Sequence, residues 1–152
     1  MNRELQDLYQ EVVIDHSRQP RNFCKLDDAT GTADGFNPLC GDHLTVYVKL
    51  SLEGVIEDIS FQGDGCAISK ASASLMTIAL KGKNEGEALV LFDHVHTLLI
   101  DGPNGSVQPE DVGKLVVLSG VWEFPMRVKC ATLAWHTLKS AIECKDKLVL
   151  KE

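Results

Sequence analysis

Residues 43–62 constrain the fold of this chain more than any other stretch. Leu44, Val46, Val48 and Leu50 alternate with His43, Thr45, Tyr47 and Lys49, the period of two that buries one face of a strand and wets the other. Glu53-Gly54 supplies a turn, and the β-branched-rich run from Val55 to Gln62 brings the chain back as a second strand. Gly63-Asp64-Gly65 then completes the hairpin and releases the chain at Cys66 into a helix predicted to reach Leu80. Ala67, Ala71, Ala73 and Ser74 are small enough for close helix packing, and Leu75, Ile78 and Ala79 form its apolar stripe. A hairpin that feeds directly into a helix requires a sheet with at least one helix laid against it.

The remaining segments supply further helices. Leu5, Leu8, Tyr9, Val12 and Val13 fall at helical spacing over residues 4–16, and Pro20 stops that helix. Residues 21–36 read as a loop or as a short edge strand around Gly31-Thr32-Ala33. Gly82 ends the Cys66 helix, a helix is expected over 85–100, and Asp101-Gly102-Pro103-Asn104-Gly105-Ser106 is an exposed loop. A shorter helix is predicted over 109–121, with Pro109 suited to its first turn. Phe124-Pro125 breaks it, and a last helix runs over 126–145, with Phe124 and Trp135 assigned to the core. No repeat or linker interrupts the chain, so residues 1–152 are expected to form one domain. The order of elements predicts an α+β fold, a small antiparallel sheet of about three strands with helices packed on one face.

Charge and cysteine usage narrow the function. A net charge of −7 without clustered Lys or Arg argues against a nucleic-acid surface or an anionic-membrane surface. No apolar run approaches the ~18 residues that span a bilayer. Met1-Asn2-Arg3-Glu4-Leu5-Gln6-Asp7 carries acids and no apolar signal region, so a cytoplasmic location is expected. Five cysteines, an odd count, fit reduced thiols that bind metal or react better than a closed disulfide framework.

Three of those cysteines stand at element boundaries beside Gly or Pro. Cys40 lies in Asn37-Pro38-Leu39-Cys40-Gly41-Asp42, Cys66 follows Gly63-Asp64-Gly65, and Cys130 follows Phe124-Pro125-Met126-Arg127-Val128-Lys129. Together with Asp42 they make a candidate Cys₃Asp metal set. Thiolates are soft ligands that zinc accepts, and a carboxylate fills a fourth tetrahedral position. Cys66 and Cys130, expected at helix starts, are biased toward thiolate by the helix dipole. Four negative charges against two on the metal call for a nearby cation, and Arg127 and Lys129 are the candidates. From spacing alone a second reading stands equally, with the cysteines as small core hydrophobes and Asp42 as a turn-former beside Gly41. Cys24 and Cys144, without special neighbours, are assigned to the core, and His16, His43, His94, His96 and His136 to surface or capping positions.

Three segments weigh between these readings. Asn37 to Asp42, Gly63-Asp64-Gly65-Cys66-Ala67-Ile68-Ser69-Lys70-Ala71-Ser72-Ala73-Ser74 and Phe124-Pro125-Met126-Arg127-Val128-Lys129-Cys130-Ala131-Thr132-Leu133-Ala134-Trp135 together resemble the SufU branch of the IscU/NifU-N family. Asp15-His16-Ser17-Arg18-Gln19-Pro20-Arg21-Asn22 is similar to that family's first-helix exit. The resemblance covers nearly the whole chain and implies iron–sulfur cluster assembly on a SufE/IscU-like fold. Scaffold-type IscU relatives place a His directly before the last Cys, where this chain has Lys129. They also have a shorter stretch between the second and third cysteines. Both differences resemble SufU.

The resemblance then implies zinc held by Cys40, Asp42, Cys66 and Cys130. It implies as partner a PLP-dependent cysteine desulfurase of the SufS type, with downstream iron–sulfur assembly proteins as recipients. Cys40 is the expected acceptor thiol, freed when a ligand from the desulfurase displaces it, with Asp42 and Arg127 as the other residues expected to act. The chain would be a sulfurtransferase-like persulfide carrier that stimulates the desulfurase. The alternatives are a scaffold that builds a [2Fe–2S] cluster on the same four ligands, and a structural zinc domain that recruits the desulfurase. Leu39 departs from the small polar or Ala residue many relatives carry beside the acceptor thiol.

Overall fold

The alternating stretch is the central strand of the sheet. The computed structural model describes residues 3–38, 41–102, 105–143 and 148–150. In chain order these form α1 (Arg3–Arg18), β1 (Gly31–Asn37), β2 (Asp42–Leu50), β3 (Ile56–Asp64), α2 (Ala67–Leu80), α3 (Glu85–Asp101), α4 (Pro109–Val112), a 3₁₀ segment (Gly113–Val121), α5 (Pro125–Glu143) and β4 (Leu148–Leu150). The strand order is β3-β2-β1-β4. β2 pairs antiparallel with both neighbours, Val46 lying opposite Ala33 of β1 and Phe61 of β3. The short β4 adds to the outer edge of β1 in parallel.

Leu44, Val46 and Val48 have no exposed surface, and α5, whose Leu133, Ala134 and Trp135 are buried, packs on β1 and β2. A Cβ on Gly35 would collide with the Thr137 hydroxyl, so α5 comes closer to β1 than any side chain at that position allows. α2 packs beside α5 and against β3, and α1 lies on α2 as an outer layer. The helices therefore cover one face of the antiparallel sheet, and this layering sets the starts of β2 and α2 side by side.

Several expectations change. The edge strand expected near Gly31 is a full strand of seven residues. The helix expected over 109–121 is a single α turn followed by nine residues of 3₁₀ helix. Gly113, at φ +58°, breaks the α path after that turn. Leu115, Leu118 and Val121 then recur every third residue and are all buried, which suits three residues per turn rather than 3.6. The last helix is described over Pro125–Glu143, and the end expected for it near 145 lies, with Cys144, in residues 144–147, outside the described residues. Phe124 is 45% exposed rather than core, because Pro125 opens α5 and leaves the ring ahead of the helix. Trp135 is buried as expected, its indole N–H donating to Ser72 Oγ at 3.1 Å. Ile78 faces outward at 50% exposure.

Candidate metal centre

Asp42 is the first residue of β2, delivered there by a turn that the Gly41 N–H closes onto the Asn37 carbonyl at 2.8 Å. Its carboxylate is buried, which costs several kcal/mol unless donors meet it. Two do. The Cys66 backbone N–H donates to Oδ1 at 2.9 Å, and the Ser69 hydroxyl donates to Oδ2 at 2.6 Å. Gly65 leaves the room for this, since a Cβ there would press on both Asp42 and Ser69 at 3.2 Å.

Cys66 is the N-cap of α2, with extended backbone (φ −69°, ψ 169°). Its sulfur accepts the Ser69 N–H at 3.5 Å and stands 3.8 Å from Asp42 Oδ2. Cys130 projects from the second turn of α5 and is buried, not at the helix start expected from Phe124-Pro125, because Pro125 is already helical. The dipole argument therefore applies to Cys66 alone. One ligand atom each from Asp42, Cys66 and Cys130 lies within 4.8 Å of the others.

These donors suit zinc. Ordinary zinc–thiolate and zinc–carboxylate bond lengths in a tetrahedron put sulfur and oxygen about 3.5 Å apart, and the Cys66 Sγ to Asp42 Oδ2 distance of 3.8 Å closes to that with a small side-chain adjustment. Asp42 Oδ2 is held by a hydroxyl, as second-layer partners hold metal-binding carboxylates. The same soft donors also suit iron.

The Cys66 thiol is drawn down from its ordinary 9.0 to about 6. The hydrogen bond with Cys130 is the largest cause, the Ser69 amide and hydroxyl add to it, and burial and Asp42 oppose it. Tyr9 is pushed up by burial, against a hydrogen bond and attraction from Arg127.

Leu39 and Cys40 lie outside the described residues, in the β1–β2 connection immediately before Asp42. The Arg127 guanidinium sits 4.4 Å from the centre of the Phe124 ring, a cation–π contact, and its charge acts on Tyr9. These residues line a cleft of about 300 Å³ with Gln10, Gly120, Trp122 and Glu123. Lys129 is half-buried. Cys24 is exposed, not core. His16 is buried, not at the surface, and its Nδ1 is 2.7 Å from Ser74 Oγ. His136 is half-buried, packed edge-on against Phe92 and His96. Sequence reasoning missed Ser69, which sits at the N3 position of the helix that Cys66 caps. That spacing from a cap residue is the one signal that marks it.

Residues 8–131 match the family model described as the NifU-like N terminal domain. The iron-sulfur cluster assembly scaffold protein IscU of Streptococcus pyogenes serotype M1 is 44% identical, over 92% of this chain and 86% of its own length. The zinc-dependent sulfurtransferase SufU of Bacillus subtilis is 40% identical, over 93% of each chain. Among solved structures, a protein of Fervidobacterium islandicum AW-1 described as an iron-sulfur cluster assembly scaffold protein for the SUF system (FiSufU) superposes with a TM-score of 0.82 at 31% identity, over 91% of this chain and 98% of that one. A NifU-like N-terminal protein of Brucella abortus has the same fold, with a TM-score of 0.79 at 22% identity.

Proposed function

Because the chain belongs to the NifU-like N-terminal domain family of iron–sulfur cluster assembly proteins, we propose that it accepts and transfers persulfide sulfur in a zinc-dependent way. Its partner is a PLP-dependent cysteine desulfurase of the SufS type, and its recipients are downstream iron–sulfur assembly proteins. Residues 1–152 act as one cytoplasmic IscU/SufU-like domain. Asp42, Cys66 and Cys130, joined by Cys40, hold the zinc, which when bound supplies a positive centre that keeps thiolate ligands ionised. Asp42 is aimed by the Cys66 amide and the Ser69 hydroxyl. Arg127 places a positive charge at the start of α5, three residues before Cys130.

Cys40 is the acceptor. Its thiolate attacks the terminal sulfur of the desulfurase persulfide, and a new S–S bond forms as the old one breaks. The inner sulfur leaves as the desulfurase thiolate, and Cys40 now carries the persulfide. No net oxidant or reductant is consumed.

The observation that carries this reading is the convergence of one carboxylate and two thiols from β2, the α2 cap and α5. Lys129 directly before Cys130, and the long stretch from Cys66 to Cys130 that forms α3, α4 and the 3₁₀ segment, favour transfer over assembly. Cys40→Ala is expected to abolish sulfur acceptance. Retained stimulation of the desulfurase by this variant would sink the assignment. Cys40→Ser is expected to stay folded without activity, whereas a structural zinc role predicts that it unfolds. The second reading, a scaffold for a [2Fe–2S] cluster on the same ligands, is favoured by the scaffold name of the Streptococcus relative.

A further inference from the structure

We infer that Ser69 is a positioning residue that fixes how Asp42 meets the metal, an inference that rests on the reading of Asp42, Cys66 and Cys130 as ligands. Ser69 is fully buried among all three. Its Oγ lies 2.6 Å from Asp42 Oδ2, 3.2 Å from the Cys130 carbonyl oxygen and 3.7 Å from Cys66 Sγ. A hydroxyl has one proton, and the shorter contact, to the Asp42 carboxylate, takes it.

The arrangement is a capping box with a carboxylate inserted into it. In the usual box the N3 side chain returns to the N-cap N–H. Here the N3 residue is Ser69, whose N–H does meet the N-cap side chain. The N-cap N–H goes instead to Asp42 Oδ1, and the N3 hydroxyl goes to Asp42 Oδ2. A residue of β2 is thereby clamped at both oxygens by one turn of α2. The carboxylate plane is set before any ion arrives. Each oxygen keeps a lone pair beside its donor, and Oδ2 is the one that lies 3.8 Å from Cys66 Sγ.

The neighbouring serines of α2 do something different. Ser72 donates to the Ala131 carbonyl at 2.6 Å and accepts from Trp135, and Ser74 meets His16. Their partners are neutral or structural, whereas the partner of Ser69 is a ligand.

The test is zinc affinity by chelator competition for the full chain, Ser69→Ala, Asp42→Ala and the double variant. Ser69→Ala is expected to weaken zinc binding about 10–100-fold, the loss typical of an outer-layer partner. In the Asp42→Ala background the same change should have no further effect, because Ser69 acts through that carboxylate. The isosteric pair Ser69→Thr and Ser69→Val repeats the comparison with packing held constant, and Thr should bind zinc more tightly by a similar factor. Equal affinity of wild type and Ser69→Ala, equal affinity of Thr and Val, or an undiminished effect in the Asp42→Ala background would each overturn the inference. A wild-type chain that binds no zinc would instead remove the ligand reading itself, and the inference with it.

Discussion

Ser69 and Ser74 lie about one and a half turns apart on α2, and each carries a buried hydroxyl to another element. Around Ser74 the partners are neutral. The Arg21 N–H donates to Ser74 Oγ at 2.9 Å, and His16 Nδ1 lies 2.7 Å from the same oxygen. Asn22 donates to Thr77 one helical turn on, and its carbonyl accepts the Phe61 N–H. The stretch Asp15–Asn22 therefore pins the exit of α1 to α2 and to the free edge of β3. Around Ser69 the same kind of hydroxyl meets a carboxylate with two thiols beside it. Both regions are buried and polar, and both coincide with motifs. Only the chemistry of the partners separates a fastening from a site.

The largest expected effect tests that separation. Cys130→Ala should reduce zinc affinity by more than the roughly 10–100-fold that second-layer changes cost, while His16→Ala leaves it unchanged. Chelator competition on the two variants measures this, and equal losses would dissolve the distinction. Conversely, His16→Ala or Ser74→Ala should cost about 1–3 kcal/mol by stranding buried partners, read from urea denaturation of the metal-free protein.

The two regions should also differ in their pH windows. Cys66 is drawn down from 9.0 to about 6 by Cys130, with help from Ser69. Its contribution to the stability of the metal-free fold is therefore complete above pH 9 and is lost as pH falls through 6. Alkylation of Cys66 in that form, followed by peptide mapping, should show a midpoint near pH 6. His16 is held below its ordinary 6.5 by burial and by Arg21. Its contribution is complete above that value and is lost on further acidification, so His16→Ala should flatten only the acid limb of the stability curve. The smallest effect belongs to exposed Cys24, where Cys24→Ser should change stability by less than about 0.5 kcal/mol.

The hairpin, its helix and the sheet-plus-helix layering were legible because period and turn residues are local signals. So were Asp42, Cys66 and Cys130 as candidates, since thiols beside glycine or proline are conspicuous. Ser69 was not, because a serine in an Ala/Ser-rich helix reads as a packing residue, and only the start of β2 reveals its partner. His16 hides similarly, its burial depending on α2 arriving 58 residues later. The 3₁₀ segment escaped because Leu115, Leu118 and Val121 also satisfy part of a helical pattern. β4 escaped because three residues pairing in parallel with distant β1 leave no periodicity to read.

The most direct measurement is desulfurase turnover on cysteine with the zinc-loaded chain added, followed by intact-mass analysis under non-reducing conditions. The account predicts faster turnover and one added sulfur mapped to Cys40 with zinc retained. No stimulation by the zinc form, together with cluster formation once iron replaces zinc, would contradict it and make the chain a scaffold.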